Sequence, residues 1–348
     1  MTEEEKPLTR EDVLKLIEEH GGTAEGLDLS GRNLQGIDLR GVVLDKANLE
    51  SANLAQSDLQ KGASLRGAHL SSARLNVARL FYANLQEADL GFAKMQGAFL
   101  IGAQLQEAYL RGADLTNATL SGANLEGATL SGAELQNTQL EYASLSNAFL
   151  YGADLSKARG LASVKWGKRY MVGEESKGHF APAAEVYRNL KKWYSESGMY
   201  DIAGQFYYRE MEVQRKVFQF GNFLDTTAKN AFELRKPILL VRAIFPKKPL
   251  PWAWSMLLNI LCGYGEKPLR VVLSAIAVVF GLAGIYSASA LTFPSSLYHS
   301  AVSFTALGYG LGASTADSWV RALGAFEAFI GVFLIALFLI TFVRKMIR

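Results

Sequence analysis

The chain has 348 residues and nearly balanced charge, with 36 basic and 33 acidic side chains and a net charge of +3. Its single cysteine excludes an intrachain disulfide, and its four histidines are too scattered to form a metal cluster: His20, His69, His179 and His299. We find no phosphate-binding loop and no catalytic constellation, so we expect neither enzyme activity nor a bound cofactor.

The first segment, residues 1–26, predicts a short capped helix. The sequence Thr9-Arg10-Glu11-Asp12 precedes apolar residues at helical spacing, and Gly21-Gly22 follows them. We expect this helix to cover the N-terminal end of the next region. Because the segment is acidic and has no apolar core, we also expect no cleavable signal.

Residues 27–158 repeat with a period of five. A large apolar residue recurs every five positions from Leu29 to Leu59 and, after one extra residue, from Leu65 to Leu155, with Met95 as the exception among the leucines. The run from Leu65 to Leu155 has 19 such positions, and the residue two before each is alanine in all cases but Thr138. A period of five fits neither a helix nor a flat strand, so the chain must turn at every repeat.

This pattern resembles the pentapeptide-repeat family, whose fold is a right-handed, four-sided parallel β-helix with one pentapeptide on each face. The resemblance implies a solenoid over residues 27–160 with about 6.5 coils, which form a rod about 30 Å tall at the usual strand spacing. The extra residue between Leu59 and Leu65 should form a bulge at one corner.

The outside of this rod offers two interpretations. Family members that mimic DNA are acidic, but residues 27–158 hold 13 acidic and 10 basic side chains, so we expect no such mimicry and no nucleic-acid partner. Aromatic residues expected outside form either a docking face for a cytoplasmic partner of unknown identity or a set of side chains stacked at equivalent corners: Tyr82, Phe92, Phe99, Tyr109, Tyr142, Phe149 and Tyr151.

Residues 161–265 lose the five-residue period and predict a helical linker. One helix should start at Pro182 and end at Gly198, and a second should run from Asp201 to about Phe218. The pair resembles a single tetratricopeptide-like hairpin, which as one copy implies a packing or assembly element. This resemblance rests on Leu190, Tyr194, Gly198, Tyr200, Ala203 and Phe206.

A 12-residue apolar stretch at 253–264 is too short to span a membrane. Trp252 and Trp254 lie at its start and suit a membrane interface. We therefore expect a helix along the cytoplasmic surface, and a third membrane crossing is the alternative.

Two later apolar runs are long enough to cross a bilayer. Residues 271–293 contain no charge and residues 322–343 contain one, Glu327. At about 1.5 Å per residue, either run covers a hydrocarbon core of about 30 Å. Since the chain carries +3 and residues 1–158 carry −8, residues 159–348 carry +11. Basic residues flank both runs, so the positive-inside rule places both termini in the cytoplasm of a two-span membrane protein.

Between these runs, residues 294–304 predict a helix of half-membrane depth. The filter-like sequence that follows is Thr305, Ala306, Leu307, Gly308, Tyr309 and Gly310. Glycine allows the backbone angles that point carbonyl groups into a pore. The order of elements over about 266–348 resembles the two-transmembrane potassium-channel pore family, in which these residues form the selectivity filter and four copies surround a permeant monovalent cation.

Two departures from the family's Thr-Val-Gly-Tyr-Gly pattern and its usual following aspartate bear on ion binding. Ala306 lacks the hydroxyl that helps coordinate the innermost ion, and Leu311 replaces the aspartate. Both weaken the expectation of potassium selectivity more than that of cation conduction. Two alternatives remain open, namely that Gly-Tyr-Gly is an ordinary turn and that the pore does not conduct.

The second span contributes further candidate residues. A carboxylate within a membrane is costly, so Glu327 should have a partner on the preceding short helix and support the filter, with direct ion binding as the alternative. Gly331 lies where the resemblance places a gating hinge, although a small residue also lets helices approach closely. Helical spacing from Gly331 predicts that the inner pore is lined by Ile335, Leu339 and Phe342.

These observations predict a homotetrameric cation channel in the cell membrane, conducting potassium and carrying a cytoplasmic pentapeptide-repeat domain. Its expected partners are the lipid bilayer, its own copies and the unknown partner of the solenoid. The alternative is a membrane-anchored scaffold whose rod recruits a partner while the pore domain does not conduct.

Overall fold

The computed structural model describes residues 7–60, 62–220, 249–265, 267–287, 292–305 and 318–346. The chain divides into two compact units, Met1–Val213 and Gln214–Arg348. The predicted linker at 161–265 therefore does not form one body, because its first part belongs to the same unit as the repeats.

The first unit begins with helix α1, Arg10–Glu19. The hydroxyl of its N-cap residue, Thr9, accepts a hydrogen bond from the Asp12 amide at 3.2 Å, and the Asp12 carboxylate accepts one from the Thr9 amide at 2.9 Å. This reciprocal capping confirms the predicted helix start. On its inner face, Val13 is fully buried in the same core as the leucines of the repeats.

The repeats are joined by single parallel β-bridges, and each bridge pairs residues four pentapeptides apart in sequence. Asp28 pairs with Asn48, and Leu29 N donates to Asn48 O at 2.7 Å. The step between paired residues is 20 except where an extra residue enters, as between Val43 and Ser64. This spacing confirms four pentapeptides per coil. The right-handed sense stays a prediction. The bulge predicted between Leu59 and Leu65 also stays a prediction, because Lys61 in this interval lies outside the described residues.

The alternating leucine and alanine positions point inward along the whole ladder. From Leu29 to Leu155 the large apolar position of every repeat is at most 3% exposed. No coil could bury this column by itself, so stability depends on the stacking of neighbouring coils.

Some exterior aromatics lie over the glycines of the next coil. The Phe92 ring would be 2.6 Å from a Cβ placed on Gly112, and the Tyr82 ring covers the corresponding position of Gly102. Both rings remain well exposed on their outer side. The arrangement at these two positions agrees with the interpretation that the aromatics stack at equivalent corners.

Three helices follow the last coil: α2 at Gly173–Ser176, α3 at Phe180–Glu196 and α4 at Tyr200–Phe220. The last bridge joins Ser144 and Lys165, so the ladder extends past the predicted boundary at residue 160. Helices α3 and α4 have nearly the predicted bounds. The Trp166 indole donates to Tyr194 Oη at 2.7 Å, which joins α3 to the chain leaving the last coil.

Glu174 caps the C-terminal end of the solenoid. Its Oε1 atom accepts hydrogen bonds from the backbone amides of Leu150 and Tyr151, both at 2.6 Å. The side chain is buried, and its Oε2 atom has no hydrogen-bond partner among the described residues. Burial raises the pKa of Glu174 above its ordinary value, against the opposing effect of the amide donors.

The second unit contains four helices in its described part: α5 at Pro249–Cys262, α6 at Pro268–Ser287, α7 at Phe293–Phe304 and α8 at Ser318–Met346. Helices α6 and α8 are long and apolar enough to cross a membrane, and the apolar part of α5 is too short. The first predicted span, 271–293, was too long, because α6 ends at Ser287 and Phe293 begins α7. Pro294 lies in the first turn of α7, where proline favours a helix start.

We predict that Glu174 makes the first unit's stability depend on pH. The unfolded chain releases the Glu174 proton near pH 4.3, and the folded protein holds it to a higher pH. The resulting stabilisation is full below pH 4.3 and is lost as pH rises through the raised pKa. The melting temperature of wild type should therefore fall relative to that of Glu174→Gln as pH rises from 4 to 8.

The matched control is Glu185→Gln, which changes an exposed glutamate of α3. Differential scanning fluorimetry of the full chain in detergent would follow both variants. A difference between wild type and Glu174→Gln that stays constant over this pH range would contradict the prediction.

Candidate pore site

Helix α7 cannot cross a membrane by itself. Its 12 residues extend about 18 Å, against a hydrocarbon core of about 30 Å. It packs against both α6 and α8. The buried positions Ser296, Ser300 and Phe304 recur every four residues, so one face of the helix makes these contacts.

A buried carboxyl group joins the three helices. Glu327 of α8 is fully buried, and its Oε2 atom lies 3.0 Å from the Tyr286 hydroxyl of α6. Its Oε1 atom is hydrogen-bonded to the Ser300 hydroxyl of α7. Ser300 Oγ also lies 2.9 Å from the backbone oxygen of Val279 in α6. The structure thus places Glu327 against the short helix, and its role in filter support stays a prediction.

Tyr286 was missed by the sequence analysis. It is the single tyrosine of α6, near the end of that helix, and a phenol hydroxyl at this position was the available signal. Its partner, 41 residues away along the chain, could not be read from local pattern.

Gly331 lies one turn after Glu327 on the same face of α8. A Cβ atom at this position would overlap the carbonyl oxygen of Phe304, the last residue of α7. Helix α8 continues through Gly331 without interruption. The observed contact favours the close-approach interpretation of this glycine, and the hinge stays a prediction.

The predicted pore-lining residues lie further along α8, on the C-terminal side of its contact with the end of α7. Ile335, Leu339 and Phe342 are all exposed in the single chain, whereas Leu334 is buried against α6 and α7. Exposure of an apolar face is what a helix needs in order to line a pore formed with other copies. The lining of a pore by these residues stays a prediction.

The predicted filter is described only at its first residue. Thr305 caps the C-terminus of α7, and its amide donates to Ala301 O at 3.2 Å. Residues 306–310 and Leu311 lie outside the described residues. The described part of the predicted filter therefore ends at Thr305.

Helix α5 is fastened to α6 at one end. Arg270 of α6 donates from Nη1 to the backbone oxygen of Asn259 at 2.9 Å, in the last turn of α5. The same carbonyl accepts a bond from the Gly263 amide at 3.0 Å, so the guanidinium adds a second bond at the C-terminal end of α5. Trp254, Leu257 and Ile260 are exposed on α5. An exposed apolar face of this kind is compatible with the predicted interfacial position, which stays a prediction.

Comparison with protein families confirms the pentapeptide-repeat and channel-pore resemblances, and the tetratricopeptide-like hairpin stays a prediction. The family model described as Pentapeptide repeats matches eight copies between residues 25 and 156. The family model described as Ion channel matches residues 262–348, which include α6, α7 and α8. No curated protein matches the chain.

Solved structures similar to this chain are pentapeptide-repeat proteins. HetL, involved in heterocyst differentiation regulation in the cyanobacterium Nostoc sp. strain PCC 7120, is 28% identical, with 43% of this chain and 94% of HetL covered and a TM-score of 0.20. Rfr23 from the cyanobacterium Cyanothece 51142 is 29% identical, with coverage of 39% and 91% and a TM-score of 0.16. The protein alr5209 from Nostoc is 36% identical, with coverage of 25% and 63% and a TM-score of 0.13.

We predict that Gly331→Ala displaces the C-terminal end of α7. The added methyl group would overlap the Phe304 carbonyl, so either α8 or α7 must shift, and the variant should lose thermal stability. The measurement is the melting temperature of the purified protein in detergent.

Gly281→Ala is the matched control, because Gly281 also lies within a spanning helix and a Cβ there has no neighbour within 4 Å. That variant should be as stable as wild type or slightly more stable. Equal stability of wild type and Gly331→Ala, combined with altered opening of the channel, would instead favour the hinge.

Proposed function

We propose that four copies of this chain form a potassium-conducting cation channel in the cell membrane. Thr305, Ala306, Leu307, Gly308, Tyr309 and Gly310 of each copy would line the filter with backbone oxygens. Both termini would lie in the cytoplasm, and the pentapeptide-repeat unit, with a right-handed coil, would serve assembly, partner docking or gating.

The observation that carries this proposal is the Ion channel family match over residues 262–348. In that region a helix too short to span is packed between two helices long enough to do so. Non-helical backbone at membrane depth is tolerated where it lines a cavity or is buried in protein. A segment following α7 in such a position would therefore be suited to line a pore.

The direction of α7 supports cations as the conducted species. The helix ends at Phe304, immediately before the proposed filter. The C-terminal end of a helix carries a partial negative charge, which stabilises a nearby cation and disfavours an anion. The same sign follows from carbonyl oxygens that face a common axis.

The fourfold assembly follows from what one copy can supply. One filter strand provides only one wall of oxygens, and closed symmetry is the usual way to surround an ion with identical groups. The resemblance to the potassium-channel pore family implies four copies. Ile335, Leu339 and Phe342 would then face the axis and could close the pore as an apolar constriction.

The alternative function is a membrane-anchored scaffold with a pore domain that does not conduct. Ala306 and Leu311 favour this alternative. In the potassium-channel pore family that this region resembles, the groups at these positions support ion binding or the filter. In that case the pentapeptide-repeat unit would carry the function by recruiting a partner.

We predict that liposomes containing the purified protein take up potassium faster than sodium. Gly308→Ala should abolish this flux without preventing tetramer assembly, because in the proposed filter this glycine would set the direction of carbonyl groups. The measurements are fluorometric flux in potassium and sodium gradients and the mass of the detergent-solubilised assembly.

Gly284→Ala is the control, since a Cβ at this position of α6 has no neighbour within 4 Å. It should assemble and conduct as wild type does. Intact Gly308→Ala tetramers that conduct like wild type would refute the filter assignment, and an intact wild-type protein without flux would support the scaffold.

A further inference from the structure

The oxygen atoms around Glu327 make more close contacts than the neighbouring hydroxyl groups have hydrogens to donate. Tyr286 Oη contacts Oε2, Ser300 Oγ contacts Oε1, and Ser300 Oγ also lies 2.9 Å from the Val279 backbone oxygen. Each of these three oxygen–oxygen contacts requires one hydrogen. The tyrosine and serine hydroxyls carry one hydrogen each, so together they supply two.

The third hydrogen has one available source within this group. Backbone carbonyl oxygens carry no proton, so the carboxyl group of Glu327 is the remaining donor. With a proton on Oε1, Glu327 donates to Ser300 Oγ, and Ser300 donates its own hydrogen to the Val279 oxygen. Tyr286 donates to Oε2 and accepts from the Ser303 hydroxyl, which brings its own hydrogen, so every close contact in this group then has its hydrogen.

The surroundings of Glu327 also disfavour a charge. The side chain is fully buried, and no basic residue in the described part of the chain forms an ion pair with it. Tyr286 of α6 is the titratable group that contacts it. His299 of α7 and Arg321 of α8 are exposed. An unpaired carboxylate within a membrane span is costly, and a neutral acid avoids this cost.

We propose that Glu327 is a neutral carboxylic acid that positions the filter by donating a hydrogen bond to Ser300. The resulting chain of hydrogen bonds runs from Tyr286 through Glu327 and Ser300 to Val279, and it ties α7 to both spans. The effect on the filter rests on the proposed channel function, whereas the protonation of Glu327 does not.

The position of this chain explains how it acts on the filter. Ser300 precedes Phe304 by one helical turn, and Glu327 precedes Gly331 by one turn. The two contacts, Glu327 with Ser300 and Gly331 with Phe304, therefore hold the last turn of α7 at two successive levels. Thr305 follows directly, so its position depends on both contacts.

The direct test is infrared difference spectroscopy of the purified protein in lipid bilayers at neutral pH. Subtraction of the Glu327→Gln spectrum from that of wild type should leave the C=O absorption of a protonated carboxyl group, and this band should shift in heavy water. Glu174→Gln and Glu185→Gln should retain the Glu327 band, which separates it from another buried glutamate and from an exposed one. A difference spectrum with only carboxylate bands would overturn the proposal.

Two substitutions at Glu327 test the positioning role. In Glu327→Gln the amide nitrogen donates to Ser300 and the amide oxygen accepts from Tyr286, so potassium flux and its preference over sodium should stay close to wild type. Glu327→Leu leaves both hydroxyls of the buried cluster without their partner and should lower potassium flux about tenfold. Equal loss in the two variants would show that the charge itself is needed and would overturn the proposal.

Ser300→Ala provides a further check within the same chain of hydrogen bonds. It removes the acceptor of the Glu327 proton, so it should lower flux in wild type and have a smaller additional effect in Glu327→Leu. Fully additive losses would contradict a shared chain. If wild type carries no flux at all, the channel proposal fails, and the infrared band still decides whether Glu327 is protonated.

Discussion

A helix of 12 residues cannot fix its own depth in a membrane, and the candidate pore depends on how α7 is held. Helices α6 and α8 are long enough to reach both water interfaces, which sets their depth in the membrane. Helix α7 is too short to reach both. Its position is set by side-chain and backbone contacts with its two neighbours. Ser300 and Phe304 provide these contacts with α8 one turn apart, and both lie on the buried face of α7. These contacts therefore determine the position of Thr305, the first residue of the proposed filter.

The first unit obeys a different constraint, since each coil offers a leucine column that only the next coil can bury. Stacking extends the ladder but leaves two open ends, where backbone groups and apolar side chains would meet water. Helix α1 closes one end by burying Val13 in the core. At the other end, Glu174 accepts the amide hydrogens of Leu150 and Tyr151, and α3 and α4 cover the last coil with Tyr187, Tyr194 and Phe206. A buried carboxylate is an expensive acceptor, and the raised pKa of Glu174 reflects that cost.

Local sequence pattern was sufficient where the structure is local. The period of five predicted a turn at every repeat, and the resemblance to the pentapeptide-repeat family implied four repeats per coil. Thr9 with Asp12 predicted the start of α1, because a helix cap depends on residues near in sequence. The end of α6 was misjudged because hydropathy continues across the break before Phe293. Tyr286 and Glu174 were missed because their partners are brought together only by tertiary packing. Gly331 was ambiguous because a hinge and a close contact both need glycine, and only the position of Phe304 distinguishes them.

The contacts of α8 with α7 also limit how α8 can move. Glu327 and Gly331 face α7 together, while Ile335, Leu339 and Phe342 lie on exposed positions further along the helix. A rotation of the whole helix that turned the exposed residues would carry Glu327 away from Ser300 and place another side chain against the Phe304 carbonyl. A bend on the C-terminal side of Gly331 would move the exposed residues and leave both contacts intact. The packing of α7 therefore distinguishes two movements of α8 in the proposed channel. One disturbs the contacts that hold Thr305, and the other leaves them intact.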